Sequence, residues 1–122
     1  MKNLLVIDDD PMILDIVKPF FEYKGYTVST APNGFEGLQK FKDAKFDLVI
    51  TDLMMEPMHG FQVIDKIRES DQGADIPIIL LSADKDEPDL KLYKRSHFQT
   101  DTLAKPFDVP VLERIVKTLL VE

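Results

Sequence analysis

Short apolar segments that alternate with longer amphipathic segments are the feature that most restricts the fold of this chain. Residues 4–7, 47–51 and 76–83 are mainly apolar and rich in Val and Ile. Such runs are typical of strands in a parallel sheet that is covered by helices on both faces. Residues 26–31 and 102–105 are weaker strand candidates, as edge strands often are. The pattern therefore predicts five strands.

Segments with helical periodicity lie between these strands and after the last one. A short and weaker helical pattern runs from Glu87 to Phe98. Strands that alternate with helices form right-handed βαβ units, so we predict an α/β fold with a doubly wound, five-stranded parallel sheet and five helices. The other four segments place apolar residues three and four positions apart, at Ile13, Ile16, Val17, Phe20 and Phe21, at Phe35, Leu38 and Phe41, at Val63, Ile64 and Ile67, and at Val109, Leu112, Ile115, Val116 and Leu119.

Size and charge limit the classes of function. The 122 residues correspond to a single domain, residues 1–122, with no output domain expected after the last helix. A formal net charge of -7 without a basic cluster argues against direct binding to nucleic acid or to an anionic membrane. The chain has no cysteine, no signal-peptide pattern and no apolar run of about 18 residues. We therefore expect a cytoplasmic protein.

Polar residues follow four of the predicted strands. Asp8 and Asp9 follow the first strand, Asp52 the third, Ser82 the fourth and Lys105 the fifth. Because the carboxyl ends of parallel strands lie along one edge of a sheet, we expect these side chains to converge there.

Clustered carboxylates repel one another unless a cation offsets their charge. Oxygen ligands without His or Cys favour a hard ion, and a small number of carboxylates favours Mg²⁺. A carboxylate nucleophile, a metal ion, an ammonium group and a hydroxyl group are together the parts that phosphoryl transfer requires. The strand ends therefore predict a Mg²⁺-dependent phosphoryl site.

Four segments, "VIDDD", "LVITDLMM", "LLSA" and "LAKPF", resemble in order and spacing the receiver domain of two-component response regulators. The resemblance covers about Leu4 to Leu120. It implies a flavodoxin-like sheet with strand order 2-1-3-4-5 and Asp52 as the phosphoacceptor. It further implies that Asp8 and Asp9 form the acidic pair of a Mg²⁺ site, which Asp52 and the backbone carbonyl of Met54 complete.

The resemblance also implies a switch. Ser82 and Lys105 would bind the phosphoryl group, and the peptide bond between Lys105 and Pro106 would be cis. Phosphorylation would then change the face formed by helix four, strand five and helix five. The implied partners are a sensor histidine kinase or a phosphotransfer protein, a downstream protein target and a second copy of the chain through that face. Such a signalling domain catalyses only its own phosphorylation and dephosphorylation.

Some positions depart from the family pattern. Thr102 stands where an aromatic residue usually couples phosphorylation to the switch, so the signal would leave by loop rearrangement or through a partly disabled relay. Glu56 and Pro57 replace the usual Pro and Gly after the phosphoacceptor, which predicts an altered loop. The stretch 96–101 predicts a bulkier turn before strand five.

Two other functions remain open. Asp8 and Asp10 have the D-x-D spacing of a Mg²⁺-dependent phosphatase of the haloacid dehalogenase type, although Met12 and the short chain argue against it. A receiver-like interaction module that is never phosphorylated is the third possibility, which Thr102 favours slightly. Asp10 before Pro11 also fits a helix N-cap.

Nearby residues receive ordinary structural interpretations. Met54, Met55 and Met58 are predicted to be packing residues. His59 is predicted to be a surface or loop residue, since no other metal ligands converge on it.

Overall fold

A five-stranded parallel sheet forms the centre of the computed structural model, which describes residues 2–83 and 100–121. The strand order is β2-β1-β3-β4-β5, and every neighbouring pair is parallel. This confirms the predicted doubly wound sheet and its order. The strands are β1 (Asn3–Ile7), β2 (Thr27–Ala31), β3 (Leu48–Asp52), β4 (Ile78–Ser82) and β5 (Thr100–Ala104).

Helices connect the strands. They are α1 (Pro11–Tyr23), α2 (Gly34–Asp43), α3 (Gly60–Glu69) and α4 (Val109–Leu120). The last of these, α4, is the fifth helix of the sequence prediction. The short helix expected between Glu87 and Phe98 lies outside the described residues. Among the helices that are described, none has the length and apolar character that crossing a membrane requires.

The core consists of two layers, one on each face of the sheet. Leu5 and Ile7 of β1 point into a cluster with α2 and α3. Leu4 and Val6 of the same strand point into a second cluster, with α1 and α4. Because consecutive side chains of a strand point to opposite faces, a strand buried on both faces needs a continuous apolar run. This is why the central strands were recognisable in the sequence.

Two residues predicted to lie on apolar helix faces are instead exposed. Ile16 is 48% exposed and Phe35 is 57% exposed. In α1 the fully buried positions are Val17 and Phe21, which is a narrower stripe than predicted. In α2 Phe41 packs into the same cluster as Ile7, and the helix backbone approaches the sheet at Gly37, where an added Cβ would lie 2.4 Å from the Ile7 Cδ1 atom. The helix therefore rests on its glycine side, and Phe35 faces outward.

Candidate functional site

Three carboxylates meet at the carboxyl edge of the sheet. Asp8 and Asp9 follow β1 directly, and Asp52 is the last residue of the neighbouring strand β3. One oxygen atom from each of the three lies within 4.8 Å of the others. Asp8 is fully buried and Asp52 is only 5% exposed, whereas Asp9 is exposed. The sequence-predicted acidic residues are therefore brought together, with one of them open to solvent.

Lys105 places its ammonium group between two of these carboxylates. Its Nζ atom lies 2.9 Å from Asp8 Oδ2 and 3.2 Å from Asp52 Oδ1. The backbone N–H of Lys105 donates to the carbonyl oxygen of Ser82 at 2.7 Å. This bond extends the pairing of β5 with β4 one residue beyond the strand. The lysine is thereby carried from the edge strand to the acidic cluster.

The Asp8 carboxylate is held at both of its oxygen atoms. Lys105 donates to Oδ2, and the backbone N–H of Asp10 donates to Oδ1 at 2.9 Å. Asp10 is the N-cap of α1, and its own Oδ1 accepts a hydrogen bond from the Met12 N–H at 2.9 Å. Asp10 is exposed and is not among the three clustered carboxylates. Its geometry is that of a helix cap, and no feature of the described residues favours the phosphatase alternative, which needs Asp10 in the site.

Burial and like charge affect the protonation of Asp52. Burial raises the pKa of Asp52 to about 6, and the negative charges of Asp8 and Asp9 add to the increase, while Lys105 opposes it. For Lys105, burial acts to lower the pKa. The hydrogen bonds and charges of Asp8 and Asp52 outweigh that effect, so the pKa of Lys105 is raised. In the absence of a cation, a single ammonium group therefore does not fully offset the carboxylate charge.

The predicted switch residues lie on the two strands at one side of the sheet. Ser82 ends β4, is 2% exposed and pairs with Ala104 of β5. Ser82 is one residue beyond Leu81, the residue of β4 that pairs with Asp52. Thr102 is half-buried in β5, two positions before Ala104. The Lys105–Pro106 bond is cis, and so is the Glu56–Pro57 bond, which the sequence did not reveal.

The loop after Asp52 turns back onto the end of β3. The N–H of Gly60 donates to the carbonyl oxygen of Leu53 at 2.8 Å. A Cβ atom at Gly60 would lie only 2.3 Å from the backbone oxygen of Asp52. Glycine is therefore required for this close approach, which holds the loop beside the acidic cluster. The sequence offered only a weak signal for this role, because a glycine at the start of a helix has several explanations.

One structural interpretation of this loop needs correction, and a second gains detail. Met55 is buried and Met58 packs against the core, as predicted, but Met54 is 63% exposed and is not a packing residue. Residue 54 lies in the loop that leaves the cluster, where its side chain can face solvent. His59 is the N-cap of α3 and forms a capping box with Gln62, which is a more specific role than the predicted loop position.

The donor set suits a hard divalent cation. It consists of carboxylate oxygens from three residues, and Mg²⁺ is bound in proteins by one or two carboxylates together with waters and phosphate oxygens. Because Asp9 is exposed, the cluster is in contact with solvent. The residues present therefore fit the predicted Mg²⁺ site.

Comparison with protein families gives one match over nearly the whole chain. The model of the response regulator receiver domain matches residues 4–117. The DNA-binding dual master transcriptional regulator RpaA of Synechocystis is 37% identical over 120 residues, which are 98% of this chain and 49% of that protein. The chain spans about half the length of the curated relatives it matches first.

Solved structures give a similar result. The chemotaxis protein CheY4 of Vibrio cholerae has a TM-score of 0.90 and 29% sequence identity, and the alignment covers 98% of each chain. The response regulator TrrA of Thermotoga maritima, solved in complex with Mg²⁺–BeF, has a TM-score of 0.83 and 35% identity. That alignment covers 98% of this chain and 99% of TrrA.

Proposed function

Because the chain belongs to the response regulator receiver domain family, we propose that it accepts a phosphoryl group on the carboxylate of Asp52. The observation that carries the proposal is the geometry around Asp52. This buried carboxylate lies within 4.8 Å of two others and 3.2 Å from the ammonium group of Lys105. Phosphoryl transfer depends on a positioned nucleophile and on neutralisation of charge, and a buried carboxylate beside an ammonium group, with carboxylates that can hold a divalent cation, suits both needs.

The reaction balances without an external oxidant or reductant. An oxygen atom of Asp52 attacks the phosphorus atom of a phosphohistidine, the new O–P bond forms, and the N–P bond breaks. The released imidazole takes up a proton from solvent. Lys105, 3.2 Å from Asp52, is the side chain in position to hold an oxygen atom of the transferred group. Ser82, at the adjoining strand end, is proposed to bind a second phosphoryl oxygen.

The proposed cofactor is Mg²⁺. Asp9, Asp52 and the backbone carbonyl of Met54 would hold the ion, and bound Mg²⁺ supplies charge neutralisation for the incoming phosphoryl group. Asp8 already accepts a hydrogen bond at each of its oxygen atoms, from Asp10 and Lys105. We therefore assign Asp8 a supporting role beside the ion, which it stabilises by charge.

Receiver domains receive their phosphoryl group from histidine kinases and act on downstream effectors. We propose a cytoplasmic sensor kinase or phosphotransfer protein as the donor for this chain and a protein target as the effector. Negative charge added at Asp52 would draw Ser82, which ends β4, and Lys105, which follows β5, toward it. The proposed output surface, which a second copy of the chain could also contact, therefore includes β5 and α4. The helix expected between them lies outside the described residues.

A labelling experiment tests the assignment of Asp52. The protein is incubated with Mg²⁺ and radiolabelled acetyl phosphate, and the acid-stable label on the chain is measured. The wild type should be labelled, and Asp52→Asn should retain less than about a hundredth of that label, because the attacking oxygen is lost. Asp47→Asn is the matched control. Asp47 precedes the other end of β3, where its carboxylate accepts a hydrogen bond from the Asn3 N–H.

Three outcomes separate the alternatives. Label that persists on Asp52→Asn at the wild-type level contradicts the assignment of Asp52. A wild type that takes up no label from acetyl phosphate or from a kinase supports an interaction module instead. Turnover of p-nitrophenyl phosphate that requires Asp8 and is unaffected by Asp52→Asn supports the phosphatase.

A further inference from the structure

The third carboxylate of the Asp8–Asp10 run is separate from the acidic cluster but is linked to it through the backbone. The Asp10 side chain accepts a hydrogen bond from the Met12 N–H at 2.9 Å, and its carbonyl oxygen accepts from the Ile13 N–H at 3.1 Å. Its own N–H donates to Asp8 Oδ1 at 2.9 Å. Asp10 therefore joins the start of α1 to the buried carboxylate of Asp8.

This link fixes one of the two points that hold the Asp8 carboxylate. The second point is Lys105, which donates to the other oxygen atom at 2.9 Å. A carboxylate held at both oxygens cannot rotate about its last bond without losing a hydrogen bond. Asp8 is fully buried, so water does not replace a lost donor.

The same link restrains Asp9. This residue lies between Asp8 and Asp10, and the residues on both sides of it are tied to the protein. Pro11, at the first position of α1, further restricts the backbone of Asp10 to an extended conformation, with φ -91 and ψ 109. The exposed Asp9, whose carboxylate has an oxygen within 4.8 Å of one in Asp52, thus belongs to a short, anchored segment.

We propose that Asp10 is a positioning residue for the cation and phosphoryl site, and that it acts by capping α1 and so holding its backbone N–H on Asp8. The proposal rests on the proposed function, since it concerns how the same site is kept in order. Asp10 touches neither the ion nor the phosphoryl group. What the role requires is a side chain that accepts a hydrogen bond from the Met12 N–H, and this requirement does not include a negative charge.

The test compares Mg²⁺ binding by two variants that differ only in capping ability. Asp10→Asn keeps a side-chain oxygen for the Met12 N–H and removes the charge, whereas Asp10→Ala removes both. Residues that orient metal ligands typically change metal affinity by about tenfold or more when they are removed. We expect Asp10→Ala to raise the Mg²⁺ dissociation constant, measured by titration calorimetry, about tenfold. Asp10→Asn should remain within about twofold of the wild type.

Asn33→Ala is the matched control for lost helix stability. Asn33 is the N-cap of α2, and its Oδ1 accepts from the Glu36 N–H at 2.9 Å, the same distance as in the Asp10 cap. Its loss should lower the urea midpoint by an amount similar to Asp10→Ala. Because Asn33 makes no contact with Asp8, Asp9 or Asp52 among the bonds described, Mg²⁺ affinity should not change.

A readout without metal separates this proposal from the proposed function. In the metal-free protein we expect Asp10→Ala to speed hydrogen exchange of the residue 10 amide and to shift the Asp8 carboxyl ¹³C signal, while Asp10→Asn leaves both unchanged. If the wild type fails to bind Mg²⁺ but these signals behave as expected, the proposed function is wrong and the positioning role stands. Equal effects of Asn and Ala on the Asp8 signal, or an unchanged signal in both, overturn the positioning role.

Discussion

The acid half of the site and the edge-strand part of its switch half are built on different kinds of strand. The acid half consists of Asp8 and Asp9, which follow β1, and Asp52, which ends β3. The residues of these strands from Leu4 to Ile7 and from Leu48 to Asp52 are all buried. In the switch half, Ser82 ends β4, which is also buried throughout, whereas Thr102 lies in the edge strand β5 and Lys105 follows it. In β5 the residues after Thr100 are only half-buried.

This difference suits the two tasks of a receiver domain. Carboxylates that bind a cation and attack a phosphorus atom need fixed positions, and strands buried on both faces provide them. Groups that respond to a new charge have to move, and an edge strand with fewer buried contacts moves at lower cost. Lys105 connects the halves, because it extends from the edge strand to Asp8 and Asp52.

The largest expected effect comes from breaking that connection. In Lys105→Met the ammonium group is lost, and the fully buried Asp8 carboxylate keeps only its bond from Asp10. Removing one partner of a buried ion pair typically costs about 3 to 5 kcal/mol. We expect the metal-free variant to lose about 3 kcal/mol of unfolding free energy at pH 7, measured by urea denaturation.

Lys117→Met is the control for that variant. Lys117 pairs with Glu113 at 3.8 Å one helical turn away, and its side chain is 53% exposed. Exposed pairs of this kind contribute about 0.5 kcal/mol or less. If Lys105→Met loses no more unfolding free energy than Lys117→Met, the acid half and the switch half are not coupled through Lys105.

A second experiment compares the strands themselves. Ile50 of β3 is fully buried, and Leu103 of β5 is a half-buried neighbour of the same core cluster. Truncation of a buried Ile or Leu to Ala costs about 2 to 5 kcal/mol, and the cost falls with exposure. We expect Ile50→Ala to lose about 3 kcal/mol and Leu103→Ala about half as much, by urea denaturation. Equal losses would remove the contrast between the buried and the edge strand.

The same contrast explains which parts could be predicted from the sequence. The acid half was predictable because burial on both faces requires continuous apolar runs, and the residues that follow such runs must lie at one edge. Asp8, Asp9 and Asp52 were found by this reasoning, and so were Ser82 and Lys105 in the switch half. The exposure of Phe35 was missed, because periodicity does not show that a helix contacts the sheet through a glycine such as Gly37.

Local contacts of the backbone could not be predicted from the sequence either. The bond from the Asp10 N–H to Asp8 and the close approach of Gly60 to the Asp52 carbonyl both depend on where a loop closes. Loop closure leaves no periodic pattern in the side chains. The capping box at His59 and Gln62 was missed for a related reason, since His is not among the usual N-cap residues.

Protonation of Asp52 is expected to change the free energy of unfolding by an intermediate amount. The pKa of Asp52 is raised from 3.8 to about 6 by folding, mainly through burial. Between these values the folded protein binds more protons than the unfolded chain, so stability falls as pH rises from about 4 to about 6. We expect this fall to be about 2 kcal/mol in metal-free wild type and to be absent from the stability curve of Asp52→Asn, so that it appears in the difference between the two curves. Urea midpoints at several pH values measure it, and parallel curves for the two proteins would contradict it.

The smallest effect is expected at Thr102, within the switch half. Thr102 pairs with Leu80, two positions before the Ser82–Ala104 pair, and strands rise about 3.3 Å per residue. Its hydroxyl group is therefore about 7 Å away along the strand from the level of Ser82, too far to hold a phosphoryl oxygen. Thr102→Val keeps the branched shape and removes the hydroxyl, so the labelling rate with acetyl phosphate should change less than about twofold.

Ser82→Ala is the matched comparison for Thr102→Val, because it removes a hydroxyl group at the end of β4. We expect it to slow labelling by about tenfold, as the loss of one hydrogen bond to a charged group predicts. A tenfold loss in Thr102→Val as well would mean that the interior of β5 contributes to the chemistry. We infer instead that Lys105, directly after β5, takes part in the chemistry and that the interior of β5 only transmits movement.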